Sequence, residues 1–185
     1  MRATVASTIL FILTALFVTA VSAPLESAVE RPSPFKYSGD GCLSLIDVHT
    51  GEAISVVYRD KRGQYQDSAL EAIDHTLRCH GSGQELPISL KLIELVDHIQ
   101  DHFDTDQIKV VSGYRSFAYN SSLRRRLRRV AHDSLHIQGM AMDINLPRVH
   151  KGELGLFARA LKAGGVGVYR SSTFVHVDVG PVRNW

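Results

Sequence analysis

Ser134-Leu135-His136-Ile137-Gln138-Gly139-Met140-Ala141-Met142-Asp143 is the stretch from which the rest of the chain becomes readable. His136 and Asp143 are too far apart for one helical turn. Gly139, lying between them, allows a tight bend that brings a loop histidine back beside a strand carboxylate. From Met140 to Leu146 the pattern suits a strand, with Ala141 and Asp143 on one face and Met140, Met142 and Ile144 on the other. A carboxylate on such a strand is expensive unless it binds something. A second strand, Phe174-Val175-His176-Val177-Asp178-Val179-Gly180, repeats the theme. Phe174, His176 and Asp178 point to one side, and Val175, Val177 and Val179 to the other. His136, Asp143 and His176 could therefore ligate a metal, since a catalytic zinc takes about three protein ligands and a water. By spacing alone they could equally be core groups satisfied within their own strands.

Outward from these strands, the pattern gives helices and hairpins in mixed order. Leu43, Leu45, Ile46 and Val48 lead to a turn at Thr50-Gly51-Glu52 and then to Ile54, Val56 and Val57, which reads as a hairpin. Asp67 is expected to cap a helix carrying Leu70, Ile73 and Leu77, with a stop at Gly81. A second helix, from about Ser89 to Phe103, buries Leu92, Leu95, Val96, Ile99 and Phe103. Its His98 and His102 stand at i and i+4, but beside Asp97 and Asp101 they read as solvent-facing. Ile108 to Val111 is a short strand ending at Ser112-Gly113. Lys151 to Ala163 is a helix closed by Gly164-Gly165, and Val166 to Tyr169 is a further strand. The order argues for an α+β fold with helices packed on a mostly antiparallel sheet.

The chain has 185 residues, 44% hydrophobic and 22% charged, which excludes a disordered or multi-pass membrane protein. Met1 to Ala23 has the form of an export signal, with Arg2, an apolar run from Ile9 to Val21, and small residues at Ala20, Ser22 and Ala23. The run is shorter than the roughly 20 residues of a membrane span, although an uncleaved inner-membrane anchor is the alternative. Residues 24–40, with Pro24, Pro32 and Pro34, read as an extended tether, and residues 41–185 as the folded domain. Loss of Arg2 with the signal would leave 20 basic and 19 acidic side chains. A near-neutral chain is not steered as a whole to nucleic acid, and the Arg124–Arg129 stretch has no interleaved aromatics for that purpose. That stretch reads as a solvated face or a patch for an anionic polymer. Export would permit a Cys42–Cys79 disulfide, though two buried thiols explain the pair as well. Neither has a second Cys at the short spacing of a zinc knuckle.

Read together, Ser-x-His-x-x-Gly-x-Ala-x-Asp at 134–143, Ser112-Gly113-Tyr114-Arg115-Ser116, and Phe174-Val175-His176-Val177-Asp178 resemble the peptidase M15 family, in particular its exported murein endopeptidases from Gram-negative bacteria. The resemblance spans about Leu43 to Trp185, including Gly164-Gly165-Val166-Gly167 and Val182-Arg183-Asn184-Trp185. It implies the fold shared by Hedgehog domains and D-Ala-D-Ala peptidases. It also implies a periplasmic zinc metallopeptidase, an endopeptidase or carboxypeptidase, acting on peptidoglycan stem peptides during cell-wall remodelling. His136, Asp143 and His176 would be the Zn2+ ligands. Arg115 would face the cleft to hold a substrate carboxylate or the oxyanion, with Tyr114 beside it at the substrate.

Where some relatives place an acid three residues before the last ligand, this chain has Thr173, which does not titrate near neutrality. Asp178 is then either the general base or the carboxylate that orients a ligand histidine, and His132 reads as a loop residue. The departure at Thr173 favours a second function, a non-catalytic peptidoglycan-binding module on the same scaffold. Which cross-link is cut, D-Ala to diaminopimelate or diaminopimelate to diaminopimelate, stays open at this level.

Overall fold

The computed structural model describes residues 35–127 and 130–185. The expected signal, most of the tether, and Arg128 and Arg129 lie outside the described residues. Strands β1 (Cys42–Asp47) and β2 (Ala53–Val57) form the expected hairpin, pairing Leu43 with Val56 and Leu45 with Ile54. Helices α1 (Asp67–Thr76) and α2 (Leu90–His102) precede β3 (Ile108–Ser112), which lies parallel to β1. A parallel pair needs a crossover, and the two helices provide it. After α3 (Phe117–Arg126) come a single 3-10 turn (Leu135–Gln138), β4 (Ala141–Asn145), α4 (Lys151–Leu161), β5 (Gly165–Val168), β6 (Val175–Asp178) and β7 (Arg183–Asn184). The sheet order is β2-β1-β3-β4-β6-β5-β7. Only β1–β3 and β5–β7 are parallel, so the sheet is mixed but mostly antiparallel, in an α+β fold.

Alternation divides the central strands between two environments. Met142 and Ile144 of β4 and Val175 and Val177 of β6 join one buried cluster with Leu92, Val96 and Ile99 of α2 and Leu154 and Ala158 of α4. Each fully buried side chain of this size stabilises the fold by about 1.5–3 kcal/mol. The interleaved residues Asp143, His176 and Asp178 are also buried, but they belong to the polar side of the same strands.

Several local expectations are corrected. Asp67 is the first residue of α1, not its cap; Gln66 precedes it without a side-chain capping bond, and the helix ends at Thr76, before Gly81. Gly81 instead leaves room for the Tyr119 ring, which a Cβ there would strike. Helix α4 ends through Lys162 in the left-handed region, φ 52°, so Gly164 and Gly165 are free for another task. Asp97 faces inward, not toward solvent. It is fully buried and accepts bonds from Tyr58 Oη (2.6 Å) and Gly41 N (2.9 Å). His98 and His102 do lie near the surface, where they stack on Phe157. Cys42 is exposed and Cys79 buried, both as free thiols, so no bridge joins them. Helix α3 carries almost no apolar period, because only Asn120 is buried along it; Ser116 caps it by accepting from Tyr119 N at 3.2 Å.

Candidate metal centre

Strand register assembles the site. Across the sheet, Ser112 of β3 pairs with Asp143 of β4, Asp143 with His176 of β6, and His176 with Gly167 of β5. Directly opposed residues share a face, so these four form one transverse row. His136 reaches the row from the 3-10 turn, which ends at Gly139 with φ 65°. That conformation suits glycine, and a Cβ there would also come within 2.7 Å of the Pro87 carbonyl.

The ligand atoms converge. His176 Nδ1 lies 2.9 Å from Asp143 Oδ1 and 3.2 Å from His136 Nε2, and His136 Nε2 lies 3.3 Å from Asp143 Oδ1. A tetrahedral ion bound at about 2.0–2.1 Å holds its ligand atoms about 3.3 Å apart, so the spacing fits. The far nitrogen of each ring is also committed. His136 Nδ1 donates to the Gly113 carbonyl at 2.7 Å, and His176 Nε2 to Asp178 Oδ2 at 3.1 Å. Those bonds fix the tautomers that turn two lone pairs and a carboxylate oxygen toward one point. Such a cluster calls for a cation at its centre, either a proton on His176 or a metal.

The electrostatics agree. Burial pulls the His136 pKa down, favouring the neutral form. Burial also works downward on His176, but its hydrogen bonds with Asp143 and Asp178 outweigh it and raise the pKa. Against burial, His136, His176 and Arg115 hold the Asp143 carboxyl far below the usual carboxylate range. Asp178 is likewise lowered despite burial, chiefly by its hydrogen bonds with His176 and with the Gly165 and Gly180 amides.

Arg115 donates from Nε to Ser112 Oγ at 2.8 Å and from its guanidinium to Asp143 Oδ2, while its amide bonds the His136 carbonyl at 3.1 Å. It therefore braces the Asp143 carboxylate and also lines the cleft. Asp178 is enclosed by four donors. Gly165 N (2.8 Å) and Gly180 N (2.9 Å) meet Oδ1, and His176 Nε2 (3.1 Å) and Arg183 (2.8 Å) meet Oδ2. Here the glycines misread as a helix stop find their use. A Cβ on Gly165 would collide with the Asp178 carboxylate, and one on Gly164 with the Asp178 carbonyl.

A cleft of about 550 Å3 opens over His136, Asp143 and His176. Tyr119, His80 and His49 line it, with Tyr119 Oη 2.6 Å from His80 Nε2 and the His80 ring stacked on His49. Tyr169, Arg183 and Trp185 line it too, and the Trp185 indole donates to Tyr169 Oη at 2.6 Å. Tyr114 is not among the lining residues; it packs, partly buried, against the apolar cluster. His132 is exposed and bonded to Asp133, and Thr173 is exposed on the loop before β6. Arg124, Arg125 and Arg126 are exposed on α3, whereas their neighbours Leu123 and Leu127 reach the cleft. Sequence reasoning missed His49, His80 and Tyr119, which carry no period or motif of their own. Arg183 and Trp185 were visible only as part of a C-terminal motif.

Residues 38–185 match the family model described as peptidoglycan L,D-endopeptidase MepK, of the peptidase M15 group. The chain is 36% identical over 144 residues to the peptidoglycan L,D-endopeptidase MepK of Escherichia coli K12, covering 77% of this chain and 79% of that protein. It is 34% identical over 145 residues to the probable peptidoglycan L,D-endopeptidase MepK of Haemophilus influenzae, covering 77% of each.

Proposed function

The chain belongs to the peptidase M15 family of MepK-type peptidoglycan L,D-endopeptidases, and from that premise we propose that it is a zinc-dependent endopeptidase hydrolysing peptide cross-links of peptidoglycan outside the cytoplasm. The observation that carries the proposal is the convergence of His136 Nε2, Asp143 Oδ1 and His176 Nδ1 on one point beneath the cleft. His136, Asp143 and His176 would hold the zinc, two imidazoles and one carboxylate being a donor set suited to a catalytic zinc that also takes a water. Bound there, zinc would make a hydroxide available near neutral pH.

The chain's own residues do the rest. Gly113 and Asp178 hold the two imidazoles in their ligand tautomers. Arg115, anchored on Ser112 and Asp143, presents its remaining N–H groups to the cleft, where a scissile carbonyl develops negative charge. Stem-peptide carboxylates are further partners for Arg115 and for the exposed arginines of α3. Asp178 serves as a positioning group, because four donors already occupy its two oxygens. Of the two cross-links, diaminopimelate to diaminopimelate joins an L centre to a D centre, whereas D-Ala to diaminopimelate joins two D centres. The relatives' name, L,D-endopeptidase, therefore directs the proposal to the former. A periplasmic location follows from the substrate; among the described residues no helix is long and apolar enough to cross a membrane.

Metal analysis with muropeptide digestion tests this reading. The wild type should carry about one zinc and release fragments with new termini at the L,D bond, identified by mass spectrometry. His136→Ala should lose both zinc and cleavage. Equal zinc in both proteins would overturn the ligand assignment. The exposed Thr173, where some relatives have an acid, favours a second reading as a binding module, and attachment to sacculi without cleavage by the zinc-loaded protein would establish it.

A further inference from the structure

The C-terminal residues reach the candidate metal centre through Asp178. Strand β7 pairs with β5 so that Arg183 stands opposite Gly165, and both members of that pair reach Asp178. Gly165 N meets Oδ1 at 2.8 Å, and the Arg183 guanidinium meets Oδ2 at 2.8 Å. Oδ2 is also the atom that receives His176 Nε2 at 3.1 Å. The Asp178 side chain is fully buried, while Arg183 is 44% exposed, so the arginine lies at the solvent boundary and balances a charge that cannot reach water. A buried carboxylate stripped of its partner is costly, so without Arg183 the Asp178 side chain has reason to move from this position. A displaced Asp178 would no longer present the acceptor that turns His176 Nδ1 toward His136 and Asp143.

Trp185 fixes the arginine in turn. The Arg183 guanidinium carbon lies 5.2 Å from the centre of the indole, within cation–π range. Trp185 is itself held by its indole N–H bond to Tyr169 Oη, by main-chain bonds with Val166 and Val168, and by the floor that Gly167 leaves open beneath the ring. Its ring centre lies 5.3 Å from that of His176.

We propose that Arg183 is a positioning residue of the metal site: clamped by Trp185, it holds the Asp178 carboxylate in place, and through Asp178 sets the orientation of His176 and the affinity for zinc. The inference rests on the metal-site reading above. It assigns Arg183 a role distinct from substrate binding, although its outer face lines the cleft.

The test measures zinc affinity of the full chain by competition with a chromogenic chelator, in wild type, Arg183→Gln, Arg183→Lys, Asp178→Asn and the Arg183→Gln/Asp178→Asn double variant. Loss of an outer partner of a ligand histidine typically weakens metal binding about 10- to 100-fold, and Arg183→Gln should fall in that range while the metal-free protein melts close to wild type. Lys keeps the charge without the planar fork, so Arg183→Lys should recover part of the loss; it also carries the test if Arg183→Gln does not fold. The double variant should bind no more weakly than Asp178→Asn alone, because the arginine acts through that carboxylate. Trp185 is the only tryptophan of the chain, so its emission reports metal binding beside it, and that response should shrink in Arg183→Gln. Zinc affinity within twofold of wild type, or losses that add in the double variant, would overturn the role of Arg183. A raised KM at unchanged zinc affinity would do the same and make it a substrate contact. Wild-type protein whose zinc does not depend on His136 would instead sink the metal-site reading itself.

Discussion

Arg115 and Asp178 are the two residues whose chemistry the site geometry constrains most closely. Arg115 spends its Nε on Ser112 and part of its fork on Asp143, so only a planar, multi-donor group can brace that carboxylate and still face the cleft. Arg115→Lys should keep zinc within severalfold and lose about 100- to 1000-fold in muropeptide cleavage, the usual cost of an oxyanion donor. Turnover near wild type would remove Arg115 from the catalytic set. Asp178→Asn puts an amide N–H among four donors where an acceptor is needed. Zinc affinity should fall by about 10- to 100-fold, and excess zinc should restore the cleavage rate. A zinc-saturated variant that stays about 100- to 10,000-fold slow would instead make Asp178 the general base.

Elements reach the site through a few backbone approaches, and β5 is the most demanding of them. Gly165 must pass against the Asp178 carboxylate, donating its amide at 2.8 Å. Gly165→Ala would press a methyl group into that carboxylate. The expected result is a lower melting temperature together with weaker zinc binding, read by thermal denaturation with and without metal. A variant unchanged in both would mean that β5 can shift away from β6 at no cost. The same logic explains why α3 escaped a reading by periodicity. Its residues pack little, and its cap, Ser116, is a local device that hydrophobic spacing does not register. Helix α2 shows the converse, because its apolar period correctly placed the helix but misassigned Asp97, which lies on the buried side with Leu92 and Val96.

Across the whole molecule, Asp97 couples stability to pH. Burial, aided by Asp40 and Asp101, pushes its carboxyl from 3.8 up to about 7 despite bonds from Tyr58 and Gly41, and its Oδ1 has no hydrogen-bond partner among the described residues. Between those values the folded protein holds a proton that the unfolded chain has released. This contribution to stability is complete below the unfolded value and is lost as pH rises through about 7, with a slope of up to about 1.4 kcal/mol per pH unit. Asp97→Asn keeps an acceptor for Tyr58 and Gly41 but does not titrate. Denaturant unfolding at pH 5 and pH 8 should show wild type losing more stability across that interval than Asp97→Asn. Parallel losses would assign the pH dependence to other groups.

By itself the sequence determined strands β1 to β6, the hairpin, the long helices and the family, because alternation, amphipathic spacing and fixed-order motifs are local properties of neighbouring residues; the short β7 was not among them. Asp143 and His176 could be singled out for the same reason, as polar groups set in apolar strands, and His136 through the motif it shares with Asp143. Only the tertiary structure decided which atoms converge, that Cys42 and Cys79 stay apart, and that Asp97, Glu94 and Arg59 are buried together with their partners. It also decided the second use of Gly164-Gly165 and the reach of Arg183 to Asp178. Those outcomes depend on register between strands distant in the chain, and no local pattern carries the position of a partner strand.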